Sequence, residues 1–292
     1  WECMCKTGLE QSPIDLPTVE QAVSSQSKPI FDYKKVGPNH TESGLGGKVK
    51  ANTPMEIMHH NWALTIFHNN FGKIVSMDGS VYQAQEIRFH TPSEHTINGQ
   101  IYPLEIQIVH NAMTKGDFGK KAVLSFLFKG RAGIYNKFVE ALDFFSLPNP
   151  DDRTRKIFEQ LYIPNLLLTT NDMEISLMSF SFFTYQGSLT HPPCQEGVIH
   201  YVASEPLDIS VTTLELLKEA LRVPDKMDSA GNIIRAKSMV LANARKVQNL
   251  NGRAVFHYDH VKFGFPTFKS SSDDAVVQPK SHYEKQEKES TE

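Results

Sequence analysis

Long apolar runs are missing from this chain of 292 residues. None approaches the roughly 18 residues that a helix needs to cross a bilayer, so no membrane span is expected. A strong charge of either sign is missing as well. The net charge of −3 gives no polyanion-seeking surface, which argues against nucleic acid or an anionic membrane as a partner. Cysteine is scarce, with only Cys3, Cys5 and Cys194. Cys3-Met4-Cys5 is too tightly spaced for a zinc knuckle and has no second pair; by spacing alone the three are buried or idle thiols. No G-x-S-x-G elbow occurs, and "GLGGK" (44–48) lacks the spacing and the following Ser or Thr of a phosphate loop. There is no internal repeat, and no Pro- or Ser-rich linker divides the chain before about residue 266. The sequence opens on Trp1 rather than Met, from which an upstream peptide is expected to have been removed. One sequon, Asn39-His40-Thr41, is compatible with secretion.

Strand-forming residues are abundant. "MEIMHHNWALTIF" (55–67), "QEIRFH" (85–90), "YPLEIQIVHNA" (102–112), "KAVLSFLFKG" (121–130), "SFSFFTY" (179–185) and "GVIHYVAS" (197–204) are rich in Val, Ile, Phe and Tyr and bounded by Gly, Pro and Asn. Helical patterns are fewer. They are expected over 134–145, over 151–162 with its acidic start, and over 211–223 with a Thr cap and a stop before Pro224. Strands and helices do not alternate, which excludes a parallel Rossmann-type sheet. The fold class is therefore mainly β (α+β). The end of the chain, "KSSSDDAVVQPKSHYEKQEKESTE" (269–292), has too few large apolar residues to fold alone. It reads as a solvated tail or as an arm that docks on a partner.

Alternate residues of a strand share a face. Arg88 and His90 point one way, with Ile87 and Phe89 on the other side. In the next long strand Glu105, Gln107 and Val109 share a face, opposite Leu104, Ile106, Ile108 and His110. If the two strands are neighbours, Arg88, His90, Glu105 and Gln107 form one polar cluster. Buried polar groups are paired, so such a cluster is either a functional site or a closed hydrogen-bond network. His257 and His260 in "HYDH" are two histidines without further ligands, and His59, His60 and His68 read as strand-surface residues.

Four segments carry a resemblance. "GLEQSPIDL" (8–16), "FHTPSEHTINGQIYPLEIQIVH" (89–110), "GSLTHPPCQEGV" (187–198) and "NLNGRAVF" (249–256) occur in the order found in α-class carbonic anhydrases, and the chain resembles that family over roughly residues 5–258. The resemblance implies one domain, placed over residues 1–262 and followed by the polar tail over 263–292. It implies a large, twisted, mostly antiparallel central sheet with a few peripheral helices. It also implies zinc on three histidines, two from His-x-His on one strand and one from its neighbour, with a metal-bound hydroxide that attacks carbon dioxide.

Carried onto this sequence, the ligand positions are Arg88, His90 and Gln107. Two imidazoles are replaced, one by a guanidinium that has no lone pair to give. Other positions are kept. Glu105 matches the acid that orients the third ligand, and Thr190 with Glu94 matches the hydroxyl–carboxylate pair. Val109, Val123, Leu189 and Val198 match the apolar wall of the gas pocket, with His200 at the aromatic wall position. Trp62 falls at the proton-shuttle position, near His60. Structural zinc in four-ligand peptides is bound by about 10–16 kcal/mol, or about 3 kcal/mol per ligand. Losing two ligands would then weaken binding by roughly 6 kcal/mol, about four powers of ten.

The implied function is a carbonic-anhydrase-like protein without zinc or other cofactor, acting as a structural or interaction subunit or as an anion-binding module. Arg88 is expected to pair with Glu94 or Glu105, or to hold a small anion such as bicarbonate beside Thr190. The expected partners are other protein subunits, reached through the tail. The alternative is an active enzyme whose zinc site is rebuilt from His90, His191 and His200. The resemblance further implies a disulfide between Cys5 and Cys194, and with it an oxidising compartment: secreted, or the lumen or intermembrane space of an organelle.

Overall fold

The computed structural model describes residues 4–24, 28–37, 42–43, 49–50, 55–60, 63–68, 70–113, 116, 119–143, 154–169, 179–221, 226–227, 233–235 and 243–264. One thirteen-stranded sheet dominates. Its strands are β1 (Val23–Ser24), β2 (Ile30–Tyr33), β3 (Glu56–His60), β4 (Ala63–Phe67), β5 (Gly72–Val75), β6 (Val81–His90), β7 (Leu104–Ala112), β8 (Lys121–Arg131), β9 (Thr154–Lys156), β10 (Ser179–Ser188), β11 (Glu196–Ala203), β12 (Leu207–Ser210) and β13 (Phe256–Gly264). The path runs β7-β8-β11-β10-β13-β2-β5-β6-β4-β3-β9. Most pairings are antiparallel; β8 pairs in parallel with β11 and β12, and β13 with β1 and β2. This is the mainly β architecture expected, built around one large, mostly antiparallel sheet; three further sheets of two or three strands stand beside it.

Strand β6 positions the site. One edge is hydrogen-bonded to β7, and the other first to β5 and then to β4. The register sets Arg88 opposite Gln107 and His90 opposite Glu105. Across β7, Gln107 lies beside Ser125 and Val109 beside Val123 of β8. The alternation expected from the sequence holds. Ile87, Phe89, Ile106 and Ile108 enter the main core, together with Phe31, Phe126, Phe182 and Tyr201. On the other face Arg88, His90, Glu105 and Gln107 are all buried. His110 stays on the core face, where Tyr33 Oη lies 3.0 Å from its Nε2 and its Nδ1 meets the Ala122 carbonyl. Burial pushes this imidazole down to about 3.

Several local expectations are corrected. Residues 55–67 form not one strand but the hairpin β3–β4, paired His60 to Ala63. Among the described residues of 134–145, Lys137–Glu140 alone is α-helical; Asn136 caps it by accepting from Phe138 N and Val139 N. Within the expected helix 151–162, the described residues from 154 on form no α-helix, because Thr154–Lys156 adds to the sheet edge as β9, next to β3. Buried Ile157 then hydrogen-bonds through its N–H to Met55 O, so the tertiary pairing overrides a helical pattern of modest intrinsic strength. The third helix does form, at Val211–Ala220, packing Leu214 and Leu217 inward. Its N-cap position is Ser210, and no side chain caps it. Strand β13 runs to Gly264, past the boundary placed at residue 262. Cys3, the sequon at 39–41, "GLGGK" and the tail from 265 lie outside the described residues.

Candidate functional site

The turn after β6 builds the inner half of the site. Pro92 cannot donate a ladder hydrogen bond, and the strand ends at His90. Ser93 fastens the turn, donating its N–H to Tyr102 O and its hydroxyl to His95 O. This brings Glu94 and His95 over β7. Glu105 is fully buried there and accepts four hydrogen bonds. Oε2 takes the backbone N–H of Glu94 at 2.9 Å and of His95 at 2.8 Å. Oε1 takes His95 Nδ1 at 2.8 Å and Gln107 Nε2 at 2.9 Å. Burial alone would raise the pKa of this carboxyl. The charge and hydrogen bonds of His95 outweigh it and hold Glu105 well below the usual carboxylate range.

The network continues through residues that sequence reasoning missed. His95 Nε2 lies 2.7 Å from Tyr185 Oη, which donates to Ser12 Oγ at 2.9 Å. Ser12 Oγ also accepts the N–H of Ser188, and Ser188 Oγ accepts the N–H of Ser12. Burial holds the Tyr185 phenol well above its ordinary range. Ser12 reaches Tyr185 because residue 187 is glycine: a Cβ there would collide with Ser12 Oγ. Tyr185 stacks on His200, ring centroids 4.9 Å apart. His200 Nε2 donates to Ser188 O at 2.9 Å, and burial, then His95, push its pKa down to about 3.

The outer half differs from expectation. Arg88 does not pair with Glu94 or Glu105. Its Nε (2.8 Å) and Nη2 (2.5 Å) both bind Oε2 of Glu86, two residues earlier on the same strand face. Glu105 is already saturated. Glu94 accepts from Gln107 Nε2 at 2.9 Å and from the backbone N–H of Arg245 at 3.0 Å. Gln107 thus spends both amide hydrogens on carboxylates. Among the described residues no hydrogen bond joins Glu94 to Thr190, which is half-buried.

His90 Nδ1 meets the carbonyl of Asn243 at 2.8 Å, which places the proton on Nδ1. Its Nε2 is buried without a partner among the described residues. His191 repeats the pattern, with Nδ1 on Pro192 O at 3.0 Å and Nε2 buried and unpartnered. Burial and then Arg88 lower the His191 pKa. His200, one of the three histidines of the alternative zinc site, hydrogen-bonds to Ser188 O and stacks on Tyr185. Among the described residues no three His, Cys, Asp or Glu side chains converge in a way that would hold a metal ion.

Val109, Val123, Leu189 and Val198 form a small apolar cluster of their own, separate from the main core. Cys5 and Cys194 are joined in a disulfide across a sequence separation of 189. Glu86 was within reach of sequence reasoning, since the same alternation that groups Arg88 with His90 adds position 86. Tyr185, Ser12, Asn243 and Arg245 carry no local signal, because their partners stand in distant parts of the chain. Trp62 lies outside the described residues. His60 is half-buried, its ring edge-on to Phe67. His257 packs on Phe183 and His260 is exposed near Ser179.

A profile described as eukaryotic-type carbonic anhydrase matches residues 1–259. Alpha carbonic anhydrase 8 of Arabidopsis thaliana is 31% identical over 255 residues, 87% of this chain; the chain spans 54% of that relative's length. Dioscorin dioA3 of Dioscorea japonica is 29% identical over 263 residues, covering 90% of this chain and 80% of the relative. Among solved structures, the α-carbonic anhydrase of Thermovibrio ammonificans in complex with sulfanilamide has a TM-score of 0.62 at 28% identity, covering 87% of this chain and 89% of that one. A dioscorin complexed with ascorbate has a TM-score of 0.63 at 27% identity, covering 89% and 90%.

Proposed function

Because the chain belongs to the eukaryotic-type carbonic anhydrase family, we propose that it is a member without the catalytic zinc, silent in carbon dioxide hydration and serving as a binding or structural subunit. One observation carries this reading. At the positions matched to two of the three ligands, both side chains are committed to carboxylates: Arg88 to Glu86, and Gln107 to Glu94 and Glu105. Only His90 offers a free imidazole lone pair there.

These residues do not fit a tetrahedral zinc, which needs three such donors and an open position. Arg88 adds a fixed positive charge, repulsive toward a dication by an amount on the order of several kcal/mol. Thr190 and Glu94 are read as vestiges of the hydroxyl–carboxylate pair, and Val109, Val123, Leu189 and Val198 as the wall of a former gas pocket.

What the site binds instead follows from its unused groups. Arg88 Nη1 donates to no protein group among the described residues, and a guanidinium suits a small anion. Bicarbonate is one probe. Ascorbate is the other, because a dioscorin of similar fold has been solved with it. The Cys5–Cys194 disulfide supports an oxidising compartment, whether extracellular, an organelle lumen or an intermembrane space. Protein partners are assigned to the polar tail that follows Gly264.

Stopped-flow hydration of carbon dioxide by the purified chain, with added zinc, tests the proposal. The expected rate is that of buffer. Fast hydration that a chelator abolishes would overturn it.

A further inference from the structure

A primary amine stands on the same face of the sheet, beyond the carboxylate network. Lys121 opens β8, between Asn111 of β7 and Val198 of β11. Val123, two residues on, shares its face. The amine therefore borders the apolar cluster of Val109, Val123, Leu189 and Val198. Its Nζ donates to Asn111 Oδ1, and Asn111 is fixed in turn by donating Nδ2–H to Gln85 Oε1. Burial lowers the pKa of the ammonium; Glu86 opposes that shift and Arg88 adds to it. An amine shielded from water is more often neutral, and so more often a nucleophile.

We propose that Lys121 is a carbamylation site for carbon dioxide. The apolar cluster favours a non-polar gas beside the amine. The nitrogen lone pair forms the C–N bond, one C=O π pair moves onto oxygen, and one N–H proton leaves to water. The product is a carbamate anion, with no oxidant or reductant consumed. It retains one N–H for Asn111 Oδ1. Its new carboxylate gains the field of Arg88, whose Nη1 has no protein partner among the described residues. Formation of this adduct does not depend on whether the chain holds zinc, so it stands or falls separately from the reading above.

The test uses the full chain equilibrated with ¹³C-labelled bicarbonate and carbon dioxide across a series of alkaline pH values. Carbon NMR should show a carbamate resonance. Alkylative trapping followed by peptide mass mapping should place it on Lys121. The resonance should vanish in Lys121→Met and fall several-fold in Arg88→Gln. Absence of a carbamate from the unaltered chain, or trapping only at another amine, would overturn the proposal. The mapping needs no variant, so it decides even if Lys121→Met does not fold.

Discussion

The inner and outer halves of the polar cluster sit on one sheet face, yet they are built differently. Inside, Glu105, His95, Tyr185, Ser12 and Ser188 form an unbroken chain of short hydrogen bonds. Outside, Arg88 is tied to one carboxylate of its own strand, and His90 and His191 each leave a buried nitrogen without a partner. From Glu105 to Ser188 each group of the inner half completes another; His200, stacked on Tyr185, still keeps its Nδ1 buried without a partner among the described residues. The outer half has fewer protein hydrogen bonds among the described residues than the inner half. That inner network ties β6, β7, β10 and the N-terminal segment together.

The sharpest way to break this comparison is to attack the inner half. Glu105→Ala removes the acceptor of four hydrogen bonds and should cost about 3–5 kcal/mol in urea unfolding, as loss of one partner of a buried pair does. A cost near that of an ordinary surface change would mean the network is ornamental. Replacing Cys5 and Cys194 by Ser releases a closure spanning 189 residues and should cost about 2–5 kcal/mol, read from the same transition.

Acidification sharpens the comparison further. His110 and His200 are buried neutral with pKa values of about 3, below the unfolded value. The unfolded chain binds their protons first, so stability is complete above about pH 6.5 and falls as pH drops toward 3, by up to about 1.4 kcal/mol per unit for each histidine. Glu105, also depressed, adds its loss in the carboxylate range and below. Unfolding midpoints between about pH 7 and pH 5 should therefore decline, and His200→Phe should flatten the slope. An unchanged slope would place His200 outside the linkage.

The smallest effect belongs to the outer half. Arg88→Met should cost only about 1 kcal/mol, because Glu86 keeps some access to solvent at 17% side-chain exposure. A loss as large as that of Glu105→Ala would erase the distinction drawn between the halves.

Much of this was legible in the sequence. Alternation along 86–90 and 104–110 separates a polar face from the core without any structure, and the four family segments give the fold and the disulfide. The pairing of Arg88 was misjudged, since nothing local reveals that Glu94 and Glu105 are already satisfied by Gln107, His95 and Arg245. The edge strand at Thr154–Lys156 was hidden because its partner, β3, lies about a hundred residues earlier, and a helical pattern with acids at its start competes with it. Tyr185 and Ser12 look like ordinary strand and loop residues until the fold brings them together.

The most direct test is equilibrium zinc binding by the unaltered chain and by the double variant Arg88→His, Gln107→His. Glu105 and Glu94 already stand beside position 107, so the account predicts far less than one zinc per unaltered chain and affinity restored by about four powers of ten in the variant. Stoichiometric zinc in the unaltered chain, lost on replacing His90, would contradict it.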